Sequence, residues 1–213
     1  MPVIARSAAT MSWQKEAEAQ GVEFLGSFTE PRGMPNLRLP EITLAGRSNV
    51  GKSSALNALS GRRKKAAKVS KTPGRTRLIN LFKVGKACAI TDLPGYGFAK
   101  VSREMQDDWR RSIEAYFRNR EQLRLAVLFV DAQREPQESD GQLLEFLLYN
   151  ELPTVVVATK ADKLSQTRLK ASLRQLSEEF DLPEGQPIPF SSQTGAGVRE
   201  LWQYLQQETM SAS

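Results

Sequence analysis

Eight residues of the chain, Gly46-Arg47-Ser48-Asn49-Val50-Gly51-Lys52-Ser53, follow the spacing G-x-x-x-x-G-K-[ST]. Glycines at its first and sixth positions let a backbone wrap closely around phosphate groups, and the loop's N–H groups supply oriented positive charge. Lys52 would reach the β- and γ-phosphates, and the Ser53 hydroxyl would ligate Mg²⁺, a hard cation that takes oxygen ligands. Farther on, Asp92-Leu93-Pro94-Gly95 fits D-x-x-G. There a carboxylate would hold a Mg²⁺-bound water, and the Gly95 N–H would point at a γ-phosphate. A third piece, Thr159-Lys160-Ala161-Asp162, fits [NT]-K-x-D. Its Asp162 carboxylate can accept two hydrogen bonds, from N1–H and the 2-amino group of guanine. Adenine lacks that pair, and an unpaired polar group costs about 1–3 kcal/mol. Lys160 would lay its aliphatic stem along the base. In Phe190-Ser191-Ser192 a backbone N–H can meet guanine O6.

Each piece needs an element to hold it. EITLAG (41–46) reads as a strand and 52–59 as a helix stopped by Gly61, so the first motif lies between strand and helix, as it must. RLINLFKV (77–84) alternates like a half-exposed strand. Gly85-Lys86 turns it into ACAITD (87–92), so 77–92 is predicted as a hairpin that adds one antiparallel edge strand. LAVLFVDA (125–132) and TVVVATK (154–160) are continuous apolar runs, as in strands buried on both faces. PIPFSS (187–192) reads as a short strand. Helices are predicted near 105–119 and over 141–150, 165–180 and 198–207, with a weak one over 12–20 and a short strand over 22–25. Alternating strands and helices predict an α/β fold with a mostly parallel central sheet and helices on both faces. In such sheets ligands bind at the carboxyl ends of strands, where every motif above falls. The domain division expected is an N-terminal extension over 1–21, one domain over 22–207 and a tail over 208–213.

Composition limits the chemistry. Without a single histidine, the 213-residue chain has no Ser-His-Asp or Cys-His nucleophile and no His-ligated metal. The lone Cys88 excludes internal disulfides and a cysteine zinc cage, and its apolar neighbours suggest a buried small hydrophobe. No run of 18 apolar residues suggests a membrane span, and the start lacks a signal-like apolar stretch. The expected compartment is the cytoplasm. Eight of the 30 Lys and Arg lie between Arg62 and Arg77, with no Asp or Glu among them. Such a run is a solvated loop or a handle for nucleic-acid phosphates. No aromatic residue interleaves it, which argues against stacking on single strands. Trp109 and Trp202 read as core residues, and Trp13, in the extension, as one free to lie exposed.

GRSNVGKSSALNAL, SKTPGRTRLINLF, DLPGYGFAKV and TKADKL together resemble the Ras-like P-loop GTPases, and within them the TrmE–Era–EngA–EngB–Septin-like superfamily, EngB (YihA/YsxC-type) subfamily. The resemblance spans about Phe24 to Leu205. It implies GTP and GDP as ligands, Mg²⁺ as cofactor, and a molecular switch that helps assemble the large ribosomal subunit and is needed for cell division and septation. A partner in the large ribosomal subunit or its RNA follows from it; no DNA partner, no membrane span and a monomeric state are expected. It extends the nucleotide contacts to Gly74, Arg75, Thr76, Arg77 and Leu78. Thr76 would complete the Mg²⁺ shell, with Thr72 as the rival. Lys52, Thr76 and Gly95 would then carry the catalysis.

Two positions bear on rate. Ras-like enzymes place a water-orienting Gln directly after D-x-x-G, and here that residue is Tyr96. The expectation is slow hydrolysis by the isolated protein, accelerated by a partner. Asn49 stands where related GTPases use Asn to help bind K⁺, or is simply a loop residue that tolerates an unusual backbone. Arg47, Arg75 and Arg77 are candidates for an arginine finger in cis. The segment 62–76 is expected to be mobile without a γ-phosphate. Alternative readings are a nucleotide-gated RNA- or ribosome-binding module with incidental turnover, an ATPase, which TKAD disfavours, and a division protein that contacts a septal partner.

Overall fold

The computed structural model describes residues 12–61, 78–95, 111 and 113–211. Its strands are β1 (Val22–Phe28), β2 (Glu41–Gly46), β3 (Ile79–Val84), β4 (Cys88–Asp92), β5 (Leu123–Asp131), β6 (Thr154–Thr159) and β7 (Ile188–Pro189). They form one sheet in the order β1-β3-β4-β2-β5-β6-β7. β2, β4, β5, β6 and β7 run parallel, and β3 is antiparallel to both β4 and β1. The described helices are α1 (Trp13–Gln20), α2 (Lys52–Leu59), α3 (113–119), α4 (Glu138–Tyr149), α5 (Gln166–Glu179) and α6 (Val198–Ser211).

The α/β class and the mostly parallel sheet agree with the sequence. Every residue of β2 is buried, as a strand between two parallel neighbours with both faces covered requires. The apolar runs of β5 and β6 sit beside it for the same reason. One expectation needs adjusting: the antiparallel strand β3 is not the edge. β1 adds outside it, pairing Val22 with Val84 through Phe28 with Ile79 around a bulge near Leu25. β7 is shorter than the predicted 187–192, since Pro187 and Pro189 supply no N–H to a ladder.

Helix α1 falls within the weak helix predicted over 12–20, but Trp13 departs from the expectation that it lies exposed. Helix α1 is capped by the Ser12 hydroxyl, and Trp13, only 5% exposed, packs into the core beside α6. The Trp13 N–H donates to Gln206 Oε1 at 3.1 Å. Glu16, also buried, accepts the Lys86 N–H at 2.9 Å and so grips the β3–β4 turn. Burying an indole removes a large apolar area from water, which outweighs the helix's thin apolar stripe. Helix α6 runs on to Ser211, past residue 207. Trp202 and Cys88 are buried as expected, and burial pushes the Cys88 thiol up, far from reactivity. Trp109 lies outside the described residues.

A buried polar cluster fixes the start of β2. The Glu41 carboxylate accepts from the Thr91 hydroxyl at 2.8 Å and the Tyr116 hydroxyl at 2.6 Å, and it forms an ion pair with Arg120. Arg120 also donates to the Pro35 carbonyl. Burial, with the Glu41 charge beside it, holds the Tyr116 phenol protonated. The cluster ties β2, β4 and the end of α3 together behind the strands that carry the first two motifs. Truncating Glu41→Ala leaves the Arg120 charge buried and unpaired, and is expected to cost about 3–5 kcal/mol. Urea unfolding checks this; a loss below about 1 kcal/mol, the range of an exposed pair, would contradict it.

Candidate nucleotide-binding site

The chain leaves β2 at Gly46, turns through the loop and enters α2 at Lys52. Gly46 has φ +145°, and a Cβ there would stand 2.7 Å from the Phe129 carbonyl oxygen on β5. Only glycine lets the loop pass so close to the neighbouring strand. Gly51 caps α2 with φ +119°, and Asn49 sits in the left-handed region at φ 62°, which Asn tolerates better than most residues. Helices α1 and α5 have their first N–H groups capped by Ser12 and Ser165, but among the described residues α2 has no side-chain cap. Its free N–H groups and helix dipole therefore face the concavity of the loop, where an anion would satisfy both.

Lys52 folds back over this loop. Its Nζ donates to the Gly46 carbonyl at 2.8 Å and approaches the Arg47 carbonyl at 3.4 Å. Burial lowers its pKa, and the Asp92 carboxylate opposes that. Asp92 ends β4, and its carboxyl is pushed up to about 6 by burial, which Lys52 partly offsets. Among the described residues, Asp92 Oδ1 is buried with no hydrogen-bond partner. An orphaned buried carboxylate oxygen fits the water shell of a hydrated cation, which would complete its hydrogen bonding. Past Asp92, the Leu93 N–H continues the ladder to the Leu44 carbonyl at 3.1 Å. Pro94 follows, and Gly95 then closes on the loop: a Cβ there would meet the Ser48 N at 2.9 Å and the Lys52 Nζ at 3.1 Å. The sheet thus brings Gly46 to Ser53 and Asp92 to Gly95 together. Ser53, half-buried, is the second residue of α2.

The third motif is tied to the first. The Thr159 hydroxyl lies 2.6 Å from the Val50 carbonyl and 3.0 Å from the Val130 carbonyl, and donates to one at a time. This short side chain therefore connects the end of β6 to the phosphate loop. Lys160 takes a left-handed backbone, φ 60°, and its Nζ pairs with Asp131 Oδ2 at 2.7 Å. Ala161, buried, donates its N–H to the Phe190 carbonyl at 3.1 Å. Asp162 Oδ1 accepts from the Ser191 hydroxyl at 2.7 Å, and Lys163 stands 3.3 Å from Oδ2. The Ser191 bond, with help from Lys163, holds the Asp162 carboxyl below its ordinary range, so it is ionised at neutral pH. Ser191 is itself oriented by the N–H groups of Gln193 and Thr194, both 3.2 Å from its Oγ. Phe190 is buried, and Ser192 follows at the start of the turn that carries these N–H groups.

Sequence reasoning assigned Ser191 only a backbone role; its hydroxyl also holds Asp162. Gly197 is also required by this turn, since a Cβ there would lie 2.2 Å from the Pro189 carbonyl oxygen. The spacing Ser191-x-x-x-Gly195-x-Gly197 is the signal that could have found this turn. Arg47 does not reach inward as a finger: its guanidinium donates to Gln137 Oε1 at 2.9 Å, on the loop before α4. Leu78 stands half-buried just before β3. Thr72, Gly74, Arg75, Thr76, Arg77 and Tyr96 lie outside the described residues, as does the rest of 62–77.

The sequence and the fold have counterparts among known proteins. The model of the 50S ribosome-binding GTPase family matches residues 41–160, from the start of β2 through Lys160, and that of the elongation factor Tu GTP-binding domain matches 113–211. The chain is 42% identical over 191 residues to a "Probable GTP-binding protein EngB" of Listeria welshimeri, covering 89% of this chain and 98% of that one. A protein of the same name from Syntrophomonas wolfei is 44% identical over 187 residues, covering 88% and 93%. Among solved structures, a probable GTP-binding protein engB superposes with TM-score 0.66 at 29% identity, over 80% of this chain and 99% of the other. Aquifex aeolicus Era bound to GDP·AlF4⁻ shares the fold, with TM-score 0.62 at 22% identity, over 79% and 56%. This likeness along nearly the whole length of its curated relatives places the chain in the EngB family of GTP-binding proteins.

Proposed function

We propose that the protein is a Mg²⁺-dependent GTPase switch acting in the cytoplasm on assembly of the large ribosomal subunit, and through it on cell division and septation. The observation that carries the nucleotide part is the joining of the two half-sites by Thr159. The hydroxyl that stands at the head of the base-reading segment also holds the phosphate loop, so one rigid frame spans both ends of a nucleotide. In this reading Asp162 reads guanine N1–H and the 2-amino group, a backbone N–H at Ser191 or Ser192 meets O6, and Lys160 covers the base. Lys52 and the loop N–H groups hold the β- and γ-phosphates, and Gly95 donates its N–H to the γ-phosphate. Ser53 and Thr76 would hold Mg²⁺ directly and Asp92 through water. The ion supplies charge neutralisation for the phosphate oxygens.

Tyr96 supports slow turnover in the free protein, because a phenol lacks the amide that would orient a water. Asn49, exposed and left-handed at the rim of the loop, supports a K⁺ contact there. The ribosomal part rests on the basic stretch from Arg62 to Arg77 and on the name of the matching family. A positive segment without local carboxylates favours phosphate backbones, in a salt-dependent manner. Co-sedimentation with large ribosomal subunits tests it: binding should change between GDP and a GTP analogue and weaken with salt. Binding indifferent to both would contradict the proposal.

Two further outcomes are expected. The isolated protein should turn over GTP well below about 1 s⁻¹, faster in KCl than in NaCl; a rate in the ordinary enzyme range, or equal rates in the two salts, would contradict the slow-switch and potassium parts respectively. Burial pushes the Asp92 carboxyl up to about 6 in the metal-free fold, so a proton competes with the hydrated ion as pH falls toward that range. Mg²⁺ should therefore slow GDP release less as pH falls through that value, and Asp92→Asn should remove this pH dependence. Titrating GDP release with Mg²⁺ at several pH values checks both; identical profiles for the two proteins would contradict the role of Asp92.

A further inference from the structure

The end of β5 grips the base-reading segment at three points. The Val130 carbonyl faces the Thr159 hydroxyl, the Ala132 N–H donates to the Thr159 carbonyl at 3.0 Å, and the Asp131 carboxylate pairs with Lys160. Asp131 and Thr159 are register partners on adjacent parallel strands, so the strand pairing itself sets the carboxylate beside the lysine. The carboxylate is not free to turn away. Its Oδ1 accepts the Gln133 N–H at 3.0 Å, while Oδ2 faces Lys160 at 2.7 Å and the more distant Arg134 Nε at 3.6 Å. The Asp131 side chain is only 9% exposed, against 35% for Lys160 and 63% for Arg134. A carboxylate so enclosed interacts more strongly than a surface one. Lys160 needs such a partner: its backbone is in a region that side chains disfavour, and its long stem has many rotamers.

We infer that Asp131 is a positioning residue for nucleotide binding: it anchors the Lys160 ammonium so that the lysine stem is already set where the base will lie. This rests on the nucleotide reading above and adds a residue outside the four motifs. A lysine already held loses little freedom when ligand arrives, so the effect falls on retention of the nucleotide.

The test is a double-mutant cycle on the full chain with Mg²⁺, reading release of N-methylanthraniloyl-GDP by stopped flow. Asp131→Asn is expected to speed release about tenfold, the loss of one charge-assisted contact. Arg134→Ala should leave release unchanged. If Asp131 acts through the lysine, Asp131→Asn should add almost nothing in a Lys160→Ala background. An unchanged rate for Asp131→Asn alone, or the same tenfold step in the Lys160→Ala background, would overturn the inference. Should Asp131→Asn fail to fold, Asp131→Ser takes its place in the same cycle. Wild-type protein that retains no labelled GDP would sink the nucleotide reading and this inference with it; wild-type protein that retains it while Asp131→Asn is indifferent would sink this inference alone.

Discussion

Positive charge that the described residues neutralise only in part is what the rest of the structure serves. The loop after β2 turns its N–H groups inward, α2 begins without a side-chain cap among those residues, and Lys52 is buried over both. The nearby carboxylate of Asp92 offsets this only in part and leaves one oxygen without a partner among the described residues. Such an arrangement is costly in an empty fold and favourable around a phosphate chain with its cation. The close contact of Gly46 with Phe129 and of Gly95 with Ser48 follows from it, since both backbones must come near the same small volume.

The frame that bears this cost is the sheet. β2 lies between β4 and β5, so one strand end supplies the loop and its neighbours supply Asp92 and Asp131. β6 adds Thr159, and the turn after β7 adds Ser191 to hold Asp162. Behind the site, Glu41 and Arg120 bind the far end of β2 to α3. The two parts of the candidate site thus rest on the same strand registers and are joined by the Thr159 hydroxyl.

Much of this was legible in the residues. Glycine, lysine and aspartate at fixed spacing carry their chemistry locally, and the apolar runs of β5 and β6 announce buried strands. Other features depend on contacts between distant residues. Nothing local distinguishes β3 as an interior strand; that depends on β1 pairing outside it. Trp13 looks free in a polar N-terminal stretch, yet it is buried because α6 offers a surface more than 180 residues away. The Ser191 hydroxyl and the Asp131 carboxylate act on side chains 29 residues distant in sequence, and only the fold shows the pairing. Arg47 is one of three finger candidates in sequence, and only the structure shows its guanidinium on Gln137.

The most direct measurement is calorimetric titration of the purified protein with GDP, ADP and xanthosine diphosphate in the presence of Mg²⁺. The account predicts that GDP binds more tightly than ADP by more than about a hundredfold, and that Asp162→Asn moves the preference toward xanthosine diphosphate. Equal binding of GDP and ADP, or a preference that Asp162→Asn leaves untouched, would contradict it.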